Sequence, residues 1–393
     1  MREDLPLTAG SVNRKHNARA KSKKIKLRKK AESIDFTLFF VVLILVMFGL
    51  VMVFSSSYYY TLTRAKFGND MYYFVKRQLV WAGVGVVAML FMMDFSYKKL
   101  RHLSFLIYIF AIISLALVLV VGQDMNGSKR WLGIGPIGFQ PSEVAKFAII
   151  LFLSHYIAIH KGIMDTWKGF FKCCVVLGIP TLLVSIENLS TAIVIAAIGC
   201  AIMFVSSKKV SYFVAMFIAG CGGVFALVKM PMFAYRSDRI KYWLNPFADA
   251  TGKGFQIIQS LYAVASGGMF GLGLGQSRQK TYVPEPYNDI IFAIICEELG
   301  LFGAILVILL FAVLVWRGIR IAMNADDLYG CLVAVGITVL IGVEVAINIS
   351  VATNVMPNTG MALPFISYGG SALVFTMSSM GILLNISKYQ KKQ

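Results

Sequence analysis

Apolar residues run along this chain in long blocks separated by short polar segments. The blocks fall near 36–57, 77–94, 103–122, 139–158, 169–186, 190–206, 210–229, 289–316, 328–352 and 366–386. A helix of roughly 20 apolar residues crosses a bilayer, and irregular backbone cannot face lipid. The pattern therefore predicts an all-α polytopic membrane protein with ten transmembrane helices. The longest interruption, 230–288, becomes a large extracytoplasmic loop between the seventh and eighth helices. Within it Phe255, Ile258, Leu261, Tyr262 and Ala265 fall at helical spacing. They predict an amphipathic helix, either lying on the membrane face or packed on the bundle. No internal repeat is visible.

Composition agrees. Hydrophobic residues make up 58% of the 393 positions and charged residues 15%, too apolar a balance for a soluble domain. The first block is a full span behind a long basic segment, without the cleavage pattern of a signal peptide. The six cysteines all lie inside apolar blocks without metal-ligand spacing and read as buried thiols. The four scattered histidines give no zinc pattern.

The net charge of +19 is uneven. Residues 1–35 form a basic tail, predicted to be disordered and cytoplasmic, that fits anionic lipid. It has no aromatic residue before Phe36 to stack on bases, which argues against nucleic acid as the partner. With this tail inside, Lys98, Lys99, Arg101, Lys161, Lys168, Lys208, Lys209, Arg317, Arg320 and the C-terminal lysines also fall inside. Both termini are thus expected to be cytoplasmic. Arg64, Lys129 and Arg130 are cations on the outer side. Most prolines, and the glycine clusters 133–138, 267–275 and 369–370, fall there too, so structured loops are expected outside.

Chemistry concentrates on that side. The stretch from Thr281 to Asp289 holds Pro284, Glu285, Pro286 and Asn288 and runs straight into the eighth block. Asp289 is the last polar residue before it. A carboxylate where water meets hydrocarbon has a raised pKa and suits a general base; the alternative is a helix N-cap. Glu143 and Lys146 sit three apart, close enough to pair on one helix face. They are either a structural ion pair or a substrate contact. Arg77 lies at the outer end of the second span, where snorkelling is its alternative. Glu187 and Asn188 occupy the turn between spans five and six. Glu297 and Glu298 lie about two helical turns beyond Asp289, Glu297 nearer to its face. Glu344 and Asn348 share a face of span nine. The segment Pro357 to Ser371 contains Gly369-Gly370 at a helix start, either an anion-binding site or an ordinary turn.

The stretches Asn126 to Lys146, Thr281 to Gly300 and Pro357 to Ser371 together resemble the SEDS family (shape, elongation, division and sporulation), which includes FtsW and RodA. With the span count, the resemblance covers nearly everything after the basic tail. It implies a ten-helix fold and polymerisation of lipid II into peptidoglycan. It places the catalytic carboxylate at Asp289 and the cavity lining at Arg77, Lys129, Arg130, Glu143 and Lys146, with Ser367 and Ser371 in the matching loop before span ten. The chain departs from the family pattern in places: a Pro-Asp-Leu-Gly element reads Glu187-Asn188-Leu189-Ser190, so Asn188 replaces an aspartate, Asn288 replaces a threonine, and Glu344 a glutamine. The wording of Leu363 to Ser371 is closer to division and sporulation members, FtsW and SpoVE, than to RodA.

The mechanism implied is glycosyl transfer at the outer face of the bacterial cytoplasmic membrane. Asp289 is the base, and Arg77, Lys129, Arg130 and Lys146 face the pyrophosphate leaving group. A divalent ion, Mg or Mn, is another way to meet that charge. The resemblance also implies a class B penicillin-binding protein, a transpeptidase, as partner alongside other divisome proteins. The competing classes are a lipid II flippase and a scaffold that activates the transpeptidase.

Overall fold

The computed structural model describes residues 34–125, 128–134, 137–229 and 234–390. The predicted basic tail, through residue 33, lies outside them. The described helices are α1 (Phe36–Leu62), α2 (Tyr73–Asp94), α3 (Tyr97–Val121), α4 (Pro141–Ile159), α5 (Trp167–Glu187), α6 (Leu189–Ser206), α7 (Ser211–Lys229), α8 (Ala234–Leu244), α9 (Phe255–Ser266), α10 (Ile291–Met323), α11 (Leu328–Ala352) and α12 (Gly370–Lys388). Nine of them are long and apolar enough to span a membrane; α7 covers the remaining predicted block, 210–229. In α4, α11 and α12, 67%, 67% and 72% of the apolar window is buried, against 28% in α2 and α10. The first three therefore form the centre, and α2 and α10 turn most of their surface to lipid.

One end of the bundle is closed by charge pairs. Asp35 caps α1, accepting from Leu38 N at 3.0 Å, and pairs with Arg317 of α10 at 2.6 Å. Asp327 caps α11 through Gly330 N and accepts from the Tyr97 hydroxyl at 3.1 Å. Lys388 of α12 pairs with Asp94 of α2 at 2.6 Å. The opposite end carries the longer loops.

Between α3 and α4 at that opposite end lies a small antiparallel sheet, β1 (Gln123–Met125), β2 (Ser128–Ile134) and β3 (Ile137–Phe139), in the order β1-β2-β3. Lys129 pairs with Asp124, and Leu132 with Phe139. In the large loop, α9 packs on the bundle. Ile257, Ile258, Ser260 and Ala263 are buried, and the Ser260 hydroxyl donates to Ala352 O at 2.9 Å. The inward stripe is rotated from the predicted one: Ile258 belongs to both, but Tyr262 and Ala265 face outward.

Gly300 interrupts α10 with φ 65° and ψ −164°, a conformation only glycine adopts readily. The break admits backbone from the loop after α9. Leu272 N and Gly273 N donate to Glu297 O and Glu298 O at 2.9 Å each, and Leu301 N and Phe302 N donate to Gly268 O and Met269 O at 3.0 and 3.2 Å. The Glu297 and Glu298 side chains, both fully buried, bind the same loop. Glu297 accepts from the Ser277 hydroxyl and from Arg278 N at 3.0 Å. Glu298 accepts from Lys280 Nζ at 3.0 Å and from the Ser55 hydroxyl at 2.5 Å. Buried carboxylates require such partners. Glu297 thus anchors the loop.

Candidate active site

Asp289 lies one residue before the N-cap of α10. That cap is Ile290, and no side chain caps the helix, so capping does not occupy the carboxylate. Two neighbours hold its backbone stretch. Asn348 of α11 donates its amide to Asp289 O at 2.8 Å and to Met361 O at 2.7 Å. The Ser367 hydroxyl donates to Asn288 O at 2.8 Å and accepts from Leu363 N at 2.7 Å. Tyr368 N adds a bond to Tyr287 O at 2.9 Å. The segment from Asn354 to Gly369 is therefore stitched to the segment that carries Asp289. Phe74, Tyr287 and Tyr368 form an aromatic cluster beneath the joint, Phe74 and Tyr287 having ring centroids 4.1 Å apart.

The Asp289 side chain is half-buried. Burial, reinforced by the negative charge of Glu285, pushes its pKa up to about 6, against the opposing pull of its own backbone N–H, Arg239 and Arg130. Such a group is ionised near neutrality yet basic enough to accept a proton. Gly360 separates it from a cavity of ≈ 120 Å³: a Cβ there would lie 3.6 Å from Asp289 Oδ2.

The cavity is lined by the polar side chains of Gln140, Glu143, Lys146, Asn188 and Glu344, by Gly360 to Phe365 with Ser367 and Gly369, and by Ala372 and Thr376 of α12. Lys146 pairs with Glu143 at 2.8 Å and with Glu344 of α11 at 2.5 Å, so two carboxylates share one ammonium. The ion pair forms, and it lies in the cavity lining. Asn188, where the family pattern has aspartate, caps α6 by accepting from Thr191 N at 3.2 Å. Arg130 donates from Nε and Nη2 to Glu187 O at 3.1 and 2.8 Å, at the C-terminal end of α5. Asn348 Oδ1, Thr359 Oγ1 and Ser371 Oγ are buried without a protein partner.

Not every predicted residue converges here. Arg77 is exposed, stacks over Tyr73 at 4.3 Å and acts electrostatically on Tyr368, outside the cavity lining. Lys129 lies on β2, but its side chain falls outside the described set. Ser371 sits in the first turn of α12 between the lining residues Gly369 and Ala372, without lining the cavity itself. Of Gly369-Gly370, Gly370 packs against Trp81: a Cβ would lie 2.5 Å from the indole nitrogen. Packing thus accounts for this glycine without an anion. Arg239 was not foreseen. It reaches from α8 to donate to Asn358 O at 3.2 Å and acts on the Asp289 carboxyl. An exposed arginine in a long loop carries no sequence signal of this role. Among the described residues no three His, Cys, Asp or Glu side chains gather to hold a metal ion.

Fold and site define an all-α multi-pass membrane protein with a carboxylate at the edge of a charged cavity near one end of the bundle. The chain belongs to the FtsW/RodA/SpoVE family of cell cycle proteins, whose model matches residues 36–392. It is 44% identical to stage V sporulation protein E of Bacillus subtilis (strain 168), over 92% of this chain and 99% of that one. It is 40% identical to a probable peptidoglycan glycosyltransferase FtsW of Trichlorobacter lovleyi, over 90% and 93%. Among solved structures, it matches a chain of a peptidoglycan synthase complex at a TM-score of 0.76 and 27% identity, covering 91% and 99%. The rod shape determining protein RodA of Thermus thermophilus shares the fold at a TM-score of 0.68 and 24% identity, covering 92% and 99%.

Proposed function

We propose that this chain is a peptidoglycan glycosyltransferase of the SEDS family that polymerises lipid II at the outer face of the cytoplasmic membrane during cell division. The relatives supply the activity class. The observation that carries the site reading is Asp289, half-buried beside the cavity, with Arg130 and Arg239 acting on its carboxyl.

Asp289 takes the proton from the 4-hydroxyl of the acceptor sugar. That oxygen bonds to the anomeric carbon of the growing chain, whose bond to phosphate breaks, and undecaprenyl pyrophosphate leaves. Arg130 and Arg239, with Lys129 next to Arg130 on β2, meet the charge that develops on the leaving group. Lys146 holds the cavity wall with Glu143 and Glu344. Arg77 acts electrostatically on Tyr368, and Ser367 fixes the backbone beside Asp289. Ser371, unpartnered at the start of α12, is a further substrate contact. The basic tail rests on anionic lipid at the inner face, both termini being cytoplasmic. A class B penicillin-binding protein is the partner, consistent with the synthase complex that shares this fold.

The flippase reading requires polar groups through the depth of the bundle. Beyond Lys146 and Glu344 the centre is packed by Ile149, Ile150, Leu153, Ile337 and Ile341, all buried, which favours chemistry at one mouth. The decisive assay incubates purified chain with lipid II, alone and with its transpeptidase partner. Glycan strands that require this chain support the polymerase. Transbilayer movement of lipid II without strands supports the flippase, and strands made by the partner alone support the scaffold.

A further inference from the structure

We propose that the loop 267–275 is a wedge inserted among the acyl chains of the leaflet on the active-site side. The segment alternates glycine with large apolar residues: Gly267-Gly268-Met269-Phe270-Gly271-Leu272-Gly273-Leu274-Gly275. No charged residue occurs between Lys253 and Arg278. Met269, Phe270 and Leu274 are 60%, 82% and 53% exposed, an extreme for side chains that water would surround.

The loop has two unlike edges. Its inner edge is polar and fully engaged: Gly275 N donates to Ser55 Oγ at 3.1 Å, and Gly275 O accepts from Lys280 Nζ at 2.6 Å. The four backbone bonds at the Gly300 break satisfy Gly268, Met269, Leu272 and Gly273. Irregular backbone is tolerated at membrane depth when the protein satisfies it in this way. Its outer edge is apolar and continues the lipid-facing surface of α10. The Phe270 ring lies 5.2 Å from that of Phe302, and Leu301, Ile305 and Leu306 extend the exposed surface along α10.

Depth agrees. Arg317, paired with Asp35, marks the far end of the α10 span. A span of about 20 residues counted back from it ends near Glu297, the residue whose carbonyl binds Leu272 N. The wedge therefore sits at the hydrocarbon boundary. Asp289, eight residues further along at a rise of about 1.5 Å each, stands above it among the headgroups.

The native full-length chain in vesicles of phosphatidylethanolamine and phosphatidylglycerol, doped with a phospholipid carrying a diazirine on its acyl chain, tests this. After photolysis, lipid adducts are expected on Met269 to Leu274 as heavily as on Leu301 to Leu306. Adducts on α10 with none on the loop would overturn the proposal. A second readout places a nitroxide by Phe270→Cys, and by Lys66→Cys as a control, in a background lacking native cysteines. Position 270 is expected to be more accessible to oxygen than to a water-soluble nickel complex, with the reverse at 66. A loop that is water-accessible in the chain alone and shielded only when the transpeptidase is added would be a protein docking surface, and that result also overturns the proposal.

Discussion

Asn348 holds Asp289 from behind. Its amide spans two loops, donating to Asp289 O and Met361 O at 2.8 and 2.7 Å, and so fixes the carboxylate against the cavity rim. Asn348→Leu keeps the volume and leaves both carbonyls unbonded, at about 1–3 kcal/mol for each buried orphan. The variant is expected to insert normally, melt at a lower temperature and lose most strand synthesis. Thermal melts in nanodiscs and a lipid II assay check both outcomes.

The raised pKa of Asp289 has two consequences of opposite sign. As a base the group works only when ionised, so the polymerisation rate should rise through pH of about 6 and level off above it. For stability the folded chain holds the proton more tightly than the unfolded chain, whose value is near 3.8. That contribution is fully present below the unfolded value and is lost as pH rises through about 6. Asp289→Asn has no charge to desolvate, so near neutrality it should melt above the parent while failing to polymerise. A pH series of rates and melts tests both halves.

Glu285 and Arg239 push the same carboxyl in opposite directions. Glu285→Gln should move the midpoint of the pH–rate curve down, and Arg239→Gln should move it up. If Arg239 also meets the leaving group, its loss lowers the plateau rate as well. Two midpoints moving the same way would contradict this arrangement.

Lys146 neutralises two carboxylates within one enclosed site. Lys146→Met leaves Glu143 and Glu344 facing each other without a cation. Breaking a buried pair in this way costs about 3–5 kcal/mol. Adding Glu143→Gln and Glu344→Gln to that variant should recover much of the loss in a denaturation series, because the uncompensated charge is then gone.

The spans were legible because lipid imposes a continuous apolar run on each: every predicted block overlaps a described helix, nine of them long and apolar enough to cross a membrane, and the edges differ where the blocks 139–158 and 366–386 begin in strand or turn. Asp289, Glu143 and Lys146 stood out because ionisable groups at membrane depth are scarce. The bracket through Asn348 was not legible, since it depends on how α11 meets two loops distant in sequence. Arg239 looked like any exposed arginine. The sheet carrying Lys129 and Arg130 was hidden by glycines that blur strand alternation, and the part of Glu297 in anchoring the loop depends on backbone that the Gly300 break admits, which spacing along the helix does not reveal.

The central claim is that Asp289 is the base. The chain and its Asp289→Asn variant, each reconstituted with the transpeptidase partner in proteoliposomes, should be supplied with lipid II and the strands resolved by length. The account predicts a folded, inserted variant whose rate falls by about 10²–10⁴. Strand synthesis by that variant close to the parental rate would contradict it.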